Sequence, residues 1–181
     1  MGALATAVHS DGDLIARYLA GDERAASELV RRHSTSLARF LAVQGAPDDE
    51  LEDVVQEALF KAFRALRTYH GGSSFRTWLL TIGANVLKDR RRQWRRRQVI
   101  ELTPDVRDPS GTPDLIAEAT WTAEKLEAGI AVLARLQREV FLMRAQQGLE
   151  YAEIASGLGI SVGAARVHYH HAVKRLKSWI R

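Results

Sequence analysis

Apolar residues in this chain recur at steps of three and four and almost nowhere in strict alternation. The stretch from Leu51 shows it best, with Leu51, Val54, Val55, Ala58, Leu59, Ala62, Phe63 and Leu66 on one repeating face. Such a stripe makes a helix with one buried side, whereas a half-buried strand needs a period of two. The same spacing runs through Leu14, Ile15, Tyr18 and Leu19, behind a cap and first-turn acids at Ser10, Asp11 and Asp13. Gly21-Asp22 ends that helix and caps the next, whose face holds Leu29, Val30, His33, Leu37, Phe40 and Leu41. Gly45-Ala46-Pro47-Asp48 reads as a turn with a new cap. Gly71-Gly72-Ser73-Ser74 precedes a fourth helix through Phe75, Trp78, Leu79, Ile82, Val86 and Leu87.

After Arg97 the pattern lapses, and residues 98–113 carry three prolines and scattered acids, the composition of a tether. Helical spacing returns from about Leu115 through Trp121, Leu126, Ile130, Leu133 and Leu136. A further helix holds Val140, Phe141 and Met143 and ends at Gly148, and two more flank Gly157-Leu158-Gly159. The expected fold is all-α. Two small helical domains, 11–97 and 116–181, are joined by a flexible linker, 98–115, and the second is a helix-turn-helix.

Charge is sorted along the chain. Net balances are −6 over residues 1–60, +10 over 61–97, −5 over 98–134 and +5 over 135–181, within a total of +4. Two basic blocks between acidic ones suggest two contacts with a polyanion and an acidic surface left for something else. Cysteine is absent, so disulfides and thiolate metal or redox chemistry are excluded. The first ten residues lack the basic head of a signal peptide, and no run approaches the roughly 20 apolar residues of a membrane span. The expectation is a cytoplasmic protein with no membrane insertion.

The helix-turn-helix lies in Tyr151-Ala-Glu-Ile-Ala-Ser-Gly-Leu-Gly-Ile-Ser-Val-Gly-Ala-Ala-Arg-Val-His-Tyr-His-His. Ala155 is small where two helices cross, Gly159 suits a positive-φ turn, and Ser161 caps the second helix. Val162, Ala165, Tyr169, Ala172, Val173 and Leu176 should face the core. Val167, His168, His171 and Lys174 fall on the side free to enter a major groove, with Arg166 at the border. His168, His170 and His171 do not share one face and have no nearby acid to complete a ligand set, so no metal is expected.

The second block, Phe75-Arg-Thr-Trp-Leu-Leu-Thr-Ile-Gly-Ala-Asn-Val-Leu-Lys-Asp-Arg-Arg-Arg-Gln-Trp-Arg-Arg-Arg, ends in seven cations against Asp89. Such density is favoured on a phosphate backbone through counterion release. Trp78 and Trp94 interleave with it as faces on which unpaired bases can stack, although Trp78 equally suits a core. Asn85 offers an amide that could read a base edge. Nothing clusters acids for a metal or pairs a nucleophile with a base, so neither an enzyme nor a cofactor is expected. A conventional helix-turn-helix regulator remains the alternative, but its sensing or receiver domain is missing from the pattern.

Leu51-Glu-Asp-Val-Val-Gln-Glu-Ala-Leu-Phe-Lys-Ala-Phe-Arg, Ser74-Phe-Arg-Thr-Trp-Leu and Ala84-Asn-Val-Leu-Lys-Asp closely resemble region 2 of the extracytoplasmic-function (ECF) sigma factors. Leu136-Gln-Arg-Glu-Val-Phe-Leu-Met-Arg with the helix-turn-helix resembles their region 4. The resemblance implies that Asp53, Gln56, Glu57 and Arg64 dock on the clamp helices of the largest subunit of core RNA polymerase. It implies a melted −10 element held by Tyr69, Ser74, Trp78 and Asn85, with Lys88, Arg91 and Arg92 on the backbone, one base being flipped into a pocket. It implies a duplex −35 element read by Ser161, Arg166, Val167, His168, His171 and Lys174, and an anti-sigma factor as a further partner. The chain departs from the usual pattern with Ala164-Ala165 in place of Thr-Val, histidines where an arginine is common, and Leu133-Ala134 in place of Leu-Pro. These departures leave the fold intact and bear on the −35 sequence. Two boxes lie roughly 50 Å apart, and sixteen linker residues reach roughly 55 Å when extended.

Overall fold

A computed structural model of the chain describes residues 9–101 and 118–180, with side chains described over 9–96 and 125–179. Most of the expected linker, the expected helix start at Leu115 and the side chain of Trp121 lie outside these bounds. The described residues form α1 (Asp11–Leu19), α2 (Glu23–Val43), α3 (Leu51–Ala65), a 3-10 turn (Leu66–Thr68), α4 (Phe75–Glu101), α5 (Glu118–Ala131), α6 (Arg135–Ala145), α7 (Tyr151–Leu158) and α8 (Val162–Ile180). No strand occurs among them.

The first two helices start at their capping residues. Ser10 and Asp13 close a reciprocal capping box on α1, and the Asp22 carboxylate accepts the Arg24 amide at 3.0 Å to open α2. The cap expected near Asp48 does not form. A turn closed by the Glu50 amide on the Pro47 carbonyl precedes α3, and no side chain caps that helix. Leu29, Leu37, Phe40 and Leu41 of α2, Val54, Ala58 and Ala62 of α3, and Phe75, Leu79, Val86 and Leu87 of α4 form the first core. Each large aliphatic or aromatic side chain there contributes about 1.5–3 kcal/mol by leaving water. His33 is also inside, with its Nε2 2.8 Å from the Asp11 carboxylate.

The second core gathers Ile130, Leu133, Val140, Leu142, Met143, Ile154, Ala155, Ala165, Ala172 and Leu176 from α5 to α8. Three sequence expectations shift here. The apolar stripe from Leu126 to Leu136 is broken at 132–134, where extended backbone at Ala134 (φ −59°, ψ 147°) starts α6 afresh. Leu126, within α5, is at the surface. Val162, expected in the core, is 39% exposed because it occupies the first turn of α8, before that helix meets its neighbours. Finally, α4 continues to Glu101, so the basic run and the first residues of the expected linker belong to one continuous helix.

The two domains touch. The Thr77 hydroxyl of α4 donates to Glu153 of α7 at 2.9 Å and Ser156 donates to the Gly72 carbonyl at 2.5 Å, while the Thr81 hydroxyl, whose proton has the Thr77 carbonyl at 3.0 Å, lies 3.3 Å from the Gly157 carbonyl. A second group joins Ser36 to Gln147 at 2.6 Å, with Arg76 donating to both. Gly157 permits this approach, since a Cβ there would lie 2.5 Å from the Thr77 methyl.

Candidate nucleic-acid interface

Three surfaces carry the residues singled out by the sequence. The first is the outer face of α3. Asp53, Gln56 and Arg64 are exposed along it, and Glu57 is half-buried. Glu57 pairs with Lys61 at 2.9 Å and with Arg90 of α4 at 2.6 Å. Its hydrogen bond to Lys61, the largest influence, together with that to Arg90 holds its carboxyl below the ordinary glutamate range against the opposing effect of burial. Arg90, which also reaches Glu50 at 3.6 Å, therefore bolts α4 to α3 and is not a free cation of the basic run. The sequence reading missed Phe60. One turn before Arg64 on the same face, it is 61% exposed, with the Arg64 guanidinium 5.6 Å from its ring centre. An aromatic at a position outside the apolar stripe was the signal that could have found it.

The second surface is the start and outer face of α4. The Ser74 hydroxyl accepts the Thr77 amide at 3.2 Å and so caps the helix. Thr77 gives its own hydroxyl proton to Glu153, so at 3.0 Å the Ser74 hydroxyl is the donor to Thr77 Oγ1. The loop before α4 is thereby coupled by two hydroxyls to the helix-turn-helix. Tyr69 donates its hydroxyl to the Ser73 carbonyl at 2.7 Å, and burial raises its pKa. Its ring packs on Trp78 and Phe75, with centres 5.2 and 6.0 Å away. Trp78 is half-buried in this cluster, serving as wall rather than as a free stacking face. Asn85, Lys88 and Arg92 are exposed. Trp78, Asn85 and Arg92 recur every seven residues and so lie along one side of the helix. Arg91 lies on a neighbouring side, half-buried and donating to the Gln44 carbonyl.

The third surface is α8. Gly159 ends α7 in the left-handed region (φ 65°, ψ 35°), and the Ile160 amide closes the turn on the Ala155 carbonyl at 3.0 Å. Ser161 accepts the Ala164 amide at 3.1 Å, which caps α8. Ala165 and Ala172 are fully buried beneath the helix. Tyr169 stacks on Phe141 and meets Tyr151 edge-on. Outward, Ser161, Arg166, Val167, His171 and Lys174 are exposed, Val167 at 52%. Arg166 lies over the Tyr151 ring at 5.7 Å, which steadies its long side chain at the edge of the face. His168 is half-buried, and its Nδ1 is enclosed without a hydrogen-bond partner. No group of acids and histidines able to hold a metal occurs among the described residues. None of the helices, as far as described, is long and apolar enough to cross a membrane.

Known proteins share this organisation. Residues 29–97 match the family described as Sigma-70 region 2, and residues 123–176 match Sigma-70, region 4. The RNA polymerase sigma factor NccH of Alcaligenes xylosoxydans xylosoxydans is 30% identical over 176 residues, covering 94% of this chain and 95% of that protein. The ECF RNA polymerase sigma-E factor of Escherichia coli K12 is 31% identical over 182 residues, covering 87% of each. The solved structure of CnrH in complex with the cytosolic domain of CnrY matches with a TM-score of 0.69 at 27% identity, over 94% of this chain and 96% of that one. Two helical domains with these matches, in this order, place the chain among the ECF RNA polymerase sigma factors.

Proposed function

We propose that the chain binds bacterial core RNA polymerase through the outer face of α3 and carries it to promoters read by α4 and α8. The observation that carries this reading is the division of labour within the first domain. An exposed stripe of Asp53, Gln56, Phe60 and Arg64 lies on one helix, and a cationic stripe with Asn85 lies on the next. The first is net neutral, with an apolar ring at its centre, and offers phosphates no attraction, whereas the second draws them. Residues 11–97 then serve core and −10 binding, the part of 98–115 beyond Glu101 the tether, and 116–181 the −35 element. The clamp helices of the largest subunit are the partner of Asp53, Gln56, Glu57 and Arg64, with Phe60 added as an apolar anchor.

At the −10 element, Asn85 meets a base edge above the Tyr69–Trp78 wall while Lys88, Arg91 and Arg92 hold phosphates. Unstacking a base costs a few kcal/mol, offset by these contacts. At the −35 element, Arg166, Val167, His168, His171 and Lys174 enter the major groove with Ser161 at the phosphate end of α8. The two boxes lie roughly 50 Å apart on DNA, so the contact between α4 and α7 parts before both are engaged. CnrH was solved with the cytosolic domain of another protein, which supports an anti-sigma partner here. Work on core polymerase implies a cytoplasmic setting and no catalytic chemistry by the chain itself.

Core binding tests the reading. Phe60→Ala should weaken the affinity for sigma-free core about tenfold, and Asp53→Ala with Gln56→Ala should add to the loss. An exposed site leaves thermal stability within about 0.5 kcal/mol. Core affinity unchanged in all three substitutions would remove α3 from the interface.

A further inference from the structure

Where the second half of α4 faces α6, the domains leave a cleft of about 350 Å³. Lys88, Arg91, Arg92 and Arg95 line it from α4, and Arg135 and Arg138 from α6, beside Gln44 at the end of α2. The acid among the lining residues is Glu139, buried and 3.3 Å from Arg135. Among the described residues the other five cations make no ion pair.

The donors in this cleft outnumber their acceptors. Arg91 and Arg138 both donate to one neutral group, the Gln44 carbonyl, the latter at 3.2 Å. Two guanidiniums from different domains are thus drawn together; Arg138 also donates to the Ala131 and Leu133 carbonyls and feels the charge of Glu139, whereas no carboxylate pairs with Arg91. Burial lowers the pKa of both, and the repulsion of Arg138 adds to the effect on Arg91. Gln44 is only 4% exposed, yet its amide nitrogen has no acceptor, and Arg138 Nε is enclosed in the same condition. Buried donors are ordinarily satisfied. An anion with many acceptor oxygens would satisfy these donors.

We propose that this cleft binds a small oligophosphate anion that bridges the two domains. Planar guanidiniums take phosphate oxygens in pairs, and the cleft volume suits a small molecule. The bound anion cancels the repulsion between Arg91 and Arg138 and holds α6 against α4. It also occupies Lys88, Arg91 and Arg92, the cations assigned above to the melted strand, so occupancy opposes promoter engagement. The site itself does not depend on the promoter reading.

Phosphate oxygens could come from a free anion or from a nucleic-acid strand, and calorimetric titration of the full chain separates the two. Sodium tripolyphosphate, against chloride at matched ionic strength, should bind at one site per chain. Arg138→Met should weaken that binding at least about tenfold. Arg95→Gln, at an exposed side chain, should weaken it severalfold and guards against a folding defect in the first variant. Short single-stranded DNA should compete with tripolyphosphate yet lose little affinity in Arg138→Met. No saturable tripolyphosphate binding, or binding indifferent to both substitutions, overturns the proposal. DNA affinity falling as steeply as tripolyphosphate affinity in Arg138→Met also overturns it, since the cleft would then be a strand groove.

Discussion

Replacing Gly157 by alanine should open the molecule while leaving each domain intact. A Cβ at that position would lie 2.5 Å from the Thr77 methyl and 3.4 Å from the Thr81 hydroxyl. Ordinary contact requires α4 and α7 to separate by about 1 Å. That displacement breaks or weakens the bonds Thr77–Glu153 and Ser156–Gly72, now at 2.9 and 2.5 Å. At about 1 kcal/mol net for each, some 2 kcal/mol of closed-state preference is lost, roughly thirtyfold in the open-to-closed ratio. Within its own helix, alanine is favoured over glycine by up to about 1 kcal/mol, so the C-terminal domain should not unfold. The chain has no cysteine, so spin labels can be placed without background at Arg39→Cys and Lys177→Cys, both exposed sites on α2 and α8. Pulsed dipolar spectroscopy should show a longer and broader distance distribution in Gly157→Ala. The control is Gly163→Ala, where an added Cβ meets nothing closer than 3.9 Å. Identical distributions in wild type and Gly157→Ala would refute the steric argument.

Two further outcomes follow from local geometry. Ser161→Ala removes the acceptor of the Ala164 amide and should cost the C-terminal domain about 1 kcal/mol, read as a lower denaturant midpoint at unchanged slope. Glu57 has a depressed folded-state pKa, so its pairing stabilises the fold above the ordinary glutamate range and is lost as pH falls through the depressed value. A carboxyl-carbon NMR titration should place its midpoint below that of a free glutamate, and Lys61→Met should move it upward; an unchanged midpoint would discount the pair.

Much of the fold was legible because helices announce themselves by period and by caps. Ser10, Asp22 and Ser161 each accept the amide expected of them, and Gly159 adopts the left-handed turn. The break at 132–134 was hidden because Ile130, Leu133 and Leu136 keep a helical step across it, and neither glycine nor proline marks it. The contact between domains was hidden for another reason. Thr77, Glu153, Ser156 and Gly157 are polar or small, and period arguments track only large apolar residues. Composition also concealed that Arg90 is an internal bolt, since a run of arginines does not say which one has a carboxylate opposite. The base-edge reading of Asn85 and the groove side of α8 came from residue type and helical period, and only their assignment to −10 and −35 elements came from family resemblance. The structure adds exposure at Asn85, Arg166, Val167, His171 and Lys174, and enclosure at His168.

Run-off transcription with sigma-free core polymerase and a library of promoter-like duplexes tests the central claim most directly. The account predicts transcripts from a subset sharing two spaced boxes, with initiation abolished by Asn85→Ala although core binding persists. Salt-sensitive binding to duplex DNA with no core binding and no initiation would contradict it.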